Sequence, residues 1–96
     1  MTTLTIKTSK QTHSVRSLIA NALEREMNVL EFSLKKTKER IRLFESQYGM
    51  STKRFLSNVN NNFDDSNMDF IEWMGESKTF DLLKEEFQTL KEIRFS

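Results

Sequence analysis

Cysteine and proline are both absent from this 96-residue chain, and glycine occurs only twice. Without cysteine there is no disulfide framework, no thiolate metal site and no thiol nucleophile. Without proline, which costs about 3 kcal/mol in a helix interior, nothing prevents long unbroken helices. The single histidine, His13, leaves no His/Cys cluster for a metal and no spacing that supports a Ser/His/Asp triad, and it reads as a solvated loop residue ahead of the first helix. No run of about 18 apolar residues occurs, and "MTTLTIKTSKQTHS" has no apolar core of signal-peptide length, so the expectation is a cytoplasmic protein without a membrane span. A glycine-rich phosphate loop is missing too, and neighbouring acids such as Glu85 and Glu86 diverge on a helix, which suits solvation rather than acid/base chemistry. The expectation is therefore no enzyme, no catalytic residues, no metal and no cofactor.

What is present is patterned. Hydrophobic residues make up 36% and charged residues 30%, a balance that fits a helical hairpin or coiled coil better than disorder, and the length suits one domain, 1–96, whose modest core would gain from dimerisation. Net charge is only +1, but residues 1–50 carry nine Lys/Arg against five Asp/Glu, while residues 51–96 carry six against nine. That dipole favours antiparallel packing of the two halves and is too weak to imply nucleic acid by itself.

The stretch "TLTIKT" alternates, with Leu4 and Ile6 on one side and Thr3, Thr5 and Lys7 on the other, as in a half-buried strand over 2–8. A lone strand leaves backbone groups unpaired, and no second strand is evident, so its expected partner is the same strand of another copy. A long helix is expected over 14–48, with Ser14 as N-cap and Gly49 as its stop. From Leu23 the apolar residues step through Met27, Leu30 and Leu34 to Ile41, Phe44 and Tyr48, with Thr37 in the seam, which is near-heptad spacing. Such a helix is about 50 Å long and needs an antiparallel partner. Its basic run "KKTKERIR" reads as a solvated face, laddered by Glu31, Lys35 and Glu39, with an anionic partner as the alternative. A short helix over 51–59, capped by Ser51, puts Phe55, Leu56 and Val59 on one face, and the Asn tract forms its exit. A second long helix over 67–93 carries Phe70, Met74, Ser77, Phe80, Leu83 and Phe87. The fold class is thus mostly α: a short N-terminal strand, then an antiparallel helical hairpin with a small helix at its turn, dimerised through the strand.

The least ordinary segment is "NNNFDDSNMDFIEWMGE", which holds five carboxylates, no basic residue and the only tryptophan. As a calcium loop beginning at Asp65 it supplies Asn67, Asp69 and Glu76 at oxygen positions, but it has Phe70 where glycine makes the sharp turn and Glu72 at the apolar eighth position. As a helix start it makes physical sense, since Asp64, Asp65 and Asp69 face exposed N–H groups and Ser66 with Asp69 resembles a capping box. As a docking surface, compatible with that helix start, its aromatics are anchors ringed by carboxylates.

"YGMSTKRF", "DDSNMDFIEWMGE" and "LLKEEFQTLKEI" together resemble a family of small prokaryotic proteins, common in archaea and cyanobacteria, associated with the antitoxin half of toxin–antitoxin pairs. Gly49, Met50, Ser51, Phe55, Asp64, Asp65, Asp69, Phe70, Glu72 and Trp73 occupy the family's turn and helix-start positions, and the likeness runs over most of the chain. Lys53 and Arg54 stand where acidic residues are the family's habit, and the Asn tract replaces a Glu/Gly-rich step. The resemblance implies a protein that neutralises a toxin, encoded by a neighbouring gene, by covering its active surface. Phe63, Phe70 and Trp73 would be the anchors, and Asp64, Asp65 and Asp69 would meet basic residues that bind an anionic substrate. Two rival readings remain. A dimeric β-ribbon could place Thr3, Thr5 and Lys7 in a DNA groove, against which stand the near-zero charge and the lack of an early Gly-x-Ser/Thr turn; the other is a helical scaffold with no dedicated ligand.

Overall fold

The long amphipathic pattern folds as one helix, α1, Thr12–Tyr48, in a computed structural model that describes residues 2–4, 12–62 and 66–95. It starts two residues earlier than the serine cap predicts: Ser14 lies inside the helix, and His13 belongs to its first turn rather than to a preceding loop. The C-terminal stop is Gly49, whose φ of 63° is the left-handed conformation that glycine adopts without Cβ strain. The next N–H, from Met50, donates back to the Glu45 carbonyl at 3.2 Å, the six-to-one bond of a Schellman cap.

Helix α2 spans Thr52–Asn62, and Ser51 caps it as expected, its Oγ accepting from the Arg54 N–H at 3.2 Å. It runs three residues past the predicted end, so the Asn tract belongs to its last turn; asparagine costs only a few tenths of a kcal/mol against average helix residues, too little to end a helix already packed on its apolar face. Helix α3 spans Met68–Lys91. Its cap is Asn67, not a Ser66 box: the Asn67 Oδ1 accepts from the N–H groups of Asp69 at 3.0 Å and Phe70 at 3.4 Å. Asn67 has the extended φ and ψ of a cap residue, with its side chain one step from the first helical residue, the geometry in which asparagine outperforms most alternatives.

α1 and α3 pack as an antiparallel hairpin. Phe44 meets Trp73 near the turn, while Glu26 and Leu30 lie beside Glu86 and Leu90 at the far end. The inward rows hold Leu30, Thr37, Ile41 and Phe44 from α1, and Trp73 and Ser77 from α3, all buried. Helix α2 folds over the turn end only, so most of the hairpin is two helices thick, and the molecule measures 58 × 21 × 19 Å.

Thr2–Leu4 (β1) and Ile93–Phe95 (β2) run side by side in parallel register, Thr3 opposite Arg94. The three-residue ladder corrects the expectation that the N-terminal segment has no partner within its own chain. Helix α3 ends at Lys91 rather than residue 93, so Ile93, expected at the helix end, belongs with Arg94 and Phe95 to the strand that supplies backbone groups to β1. The remainder of the predicted strand, including Thr5, Ile6 and Lys7, lies outside the described residues.

Candidate protein-binding site

The turn end of the hairpin is built on one indole. Trp73 has no exposed surface; its ring lies flat on Phe55 with centroids 3.9 Å apart and planes 1° from parallel. Phe44 and Tyr48 stack beside it at 5.8 and 5.9 Å, and Phe70 bridges Tyr48 and Phe55 at 5.2 and 5.3 Å. Each of the three helices therefore contributes an aromatic side chain to one cluster, which fixes how α2 and α3 leave the turn.

A buried indole N–H needs a partner, and Trp73 Nε1 donates to the Thr52 hydroxyl at 2.9 Å. That hydroxyl donates in turn to Glu45 Oε2 at 2.9 Å, and the same oxygen accepts from the Thr52 N–H at 2.8 Å. One carboxylate from the last turns of α1 thus satisfies an orphan donor at the start of α2 and sits at the positive end of that helix. A second link joins α1 to α3. Asp69 Oδ2 accepts from the Tyr48 hydroxyl at 2.6 Å and from Gln47 Nε2 at 3.2 Å. The hydrogen bond to that carboxylate, and next to it burial, raise the Tyr48 phenol above its ordinary pKa of 10.0. Two turns further along, Arg40 approaches Glu76 at 3.5 Å, a Coulombic contact, since the Glu76 oxygen makes no aligned hydrogen bond there.

Of the residues singled out as partner contacts, Phe63, Asp64 and Asp65 lie outside the described residues, between the end of α2 and Ser66. Asp69 spends its carboxylate on Tyr48 and Gln47, and Phe70 is half-buried between two rings. Trp73 must be corrected from surface anchor to core residue, because an anchor needs accessible area and this indole has none. The pattern that misleads is composition: a lone tryptophan among acids looks like a binding hot spot, yet its seven-residue step to Phe80 places it in the inward row. Thr3 is exposed; Leu4 takes part through its backbone in the ladder with β2.

Two residues that the sequence reading passed over stand out. Met68 is 72% and Ile71 40% exposed, three residues apart on the first turn of α3 and immediately after the acidic step. Their signal was legible: neither falls on the stripe formed by Phe70, Met74 and Ser77, so a helix there leaves both outside. Glu72 is exposed beside them. The former calcium-loop positions from Met68 to Glu76 are helical, which separates Asp69 and Glu76 by two turns or about 10 Å. Among the described residues no group of three or more His, Cys, Asp or Glu side chains converges, and no helix is long and apolar enough to cross a membrane. No protein-family model, no curated protein and no solved structure matches this chain.

Proposed function

We propose that the chain is a non-enzymatic, protein-binding antitoxin that neutralises a toxin encoded by a neighbouring gene by covering its active surface. The observation that best supports this reading is the exposed pair Met68 and Ile71, with Glu72 exposed beside them, on the end of the hairpin that packs around the Trp73 cluster and that follows Asp64 and Asp65 in sequence. Apolar anchors with a rim of carboxylates suit a basic protein surface, and a rigid frame lowers the entropy that binding must overcome. Phe63 belongs to the same acidic step and is proposed as a further anchor, with Asp64 and Asp65 drawing the toxin's basic groups and standing in electrostatically for an anionic substrate such as RNA. Protein contact also fits the open clefts that run along the hairpin among the described residues.

The test is a titration of the purified neighbouring gene product. Met68→Ala with Ile71→Ala is expected to weaken binding tenfold or more, on the order of a hot-spot pair. Asp64→Asn with Asp65→Asn is expected to slow association chiefly at low salt. Unchanged affinity in the Met68/Ile71 variant would remove this surface from the proposal, and no binding by the wild type would remove the toxin. The DNA-reading alternative gains nothing from the fold, since β1 pairs with β2 of its own chain in parallel rather than with a second β1.

A further inference from the structure

The two sides of the hairpin are unequal. On one, the groove between α1 and α3 shares its walls with α2, through Thr52, Lys53 and Leu56. On the other, no third helix intervenes among the described residues. There an open groove of about 470 Å³ lies between Glu26 and Leu30 of α1 and Leu82, Glu86 and Leu90 of α3. It continues towards the turn as a second groove of about 320 Å³ walled by Phe32, Lys36, Arg40, Thr79 and Leu83.

Helical geometry says why this side is apolar. The inward row of α1 is Leu23, Leu30, Thr37 and Phe44; one residue earlier at each step runs a parallel row, Ala22, Val29, Lys36 and Leu43, at the same seven-residue spacing. Val29 is 56% and Leu43 70% exposed, and Leu82 across the groove is 61% exposed. A helix bearing two adjacent apolar rows is built for two neighbours, and the single chain provides one.

We infer that the second neighbour is another copy of this chain, packed on the face opposite α2 in antiparallel fashion about a two-fold axis near Ser33, so that two hairpins form a four-helix bundle. Area supports a copy of this size. The chain exposes 7294 Å², about 1,500 Å² more than the roughly 5,800 Å² of a compact monomer of its mass; a standard interface takes about 800 Å² from each partner. The radius of gyration of 19.0 Å says the same, against about 12 to 13 Å for a compact chain of this length.

Charge sets the direction. Glu26 lies seven residues before Ser33 and Arg40 seven after it, about 10 Å to either side along the helix. Glu86 adds to the acidic end and Lys36 to the basic end, while Arg25 partly offsets the former. An antiparallel two-fold brings Glu26 of each copy to Lys36 and Arg40 of the other, whereas a parallel one stacks like on like. Lys36 and Arg40 remain 49% and 55% exposed despite their in-chain pairs with Glu39 and Glu76, so both are available. This dimer is independent of the antitoxin reading and would stand with no toxin at all.

Sedimentation equilibrium of the full chain at micromolar concentration tests it. The expected mass is twice the 11.4 kDa of one chain. Val29→Asp with Leu82→Asp, both at exposed positions, is expected to give a monomer that keeps its helical circular dichroism. Lys36→Glu and Glu26→Lys are each expected to raise the dissociation constant about tenfold, since the two-fold repeats every pair, and the double variant to recover most of it. A monomeric wild type overturns the inference. So does a dimer that the Asp substitutions leave intact, or a charge swap that fails to restore association.

Discussion

Trp73→Ala empties the space between Phe44 and Phe55, and the expected loss of stability is about 3 to 5 kcal/mol, read as a fall in the urea midpoint. Met68→Ala, five residues away on the same helix, is expected to move that midpoint by less than about 0.5 kcal/mol, because its side chain is exposed. The pair separates what holds the corner together from what the corner presents. Tyr48 ties stability to pH. Its phenol has a folded-state pKa above 10.0, raised first by the hydrogen bond to the Asp69 carboxylate. The stabilisation it adds is fully present below pH 10 and disappears as pH rises through the raised folded value. Tyr48 is the only tyrosine, so ultraviolet titration reports it directly. Tyr48→Phe is expected to abolish the alkaline fall in urea midpoint attributable to this group.

At the scale of elements, termini decide the helices. Asn67→Ala removes the acceptor for two N–H groups and is expected to cost about 1 kcal/mol, while Gly49→Ala forces a Cβ into the left-handed region at about 1 to 2 kcal/mol. Gly75→Ala should do the reverse in the monomer, raising stability by about 1 kcal/mol, since a Cβ there meets nothing within 4 Å. Urea unfolding of the three variants checks the order. Helix positions were legible in the sequence because heptad spacing through Leu23, Leu30 and Phe44 is repeated many times over. Ends were legible only where a single residue acted alone, as at Gly49 and Ser51. Between Ser66 and Asn67, two good capping residues stand side by side, and only backbone geometry chooses. The same limit hid the β1–β2 ladder: three residues at each terminus carry too little periodicity to announce a pairing across most of the chain. Trp73 and Phe70 were found as distinctive, but whether a helix turns a ring inward depends on what covers it, here Phe44, Tyr48 and Phe55.

The whole molecule is a rod with a plugged end, 58 Å long and about 20 Å across. An antiparallel hairpin of this shape exposes long helix faces and a packed tip. The exposed heptad row of α1 lies on the long face and Met68 and Ile71 at the tip, so the proposed self-association and the proposed toxin contact would use different parts of the rod. The most direct measurement of an antitoxin role is growth of a bacterial host expressing the neighbouring gene's product, with and without this chain. Neutralisation predicts arrest that co-expression reverses and that the Met68→Ala/Ile71→Ala variant reverses poorly while Tyr48→Phe reverses fully. Absence of arrest, or arrest that the wild-type chain leaves in place, would contradict it.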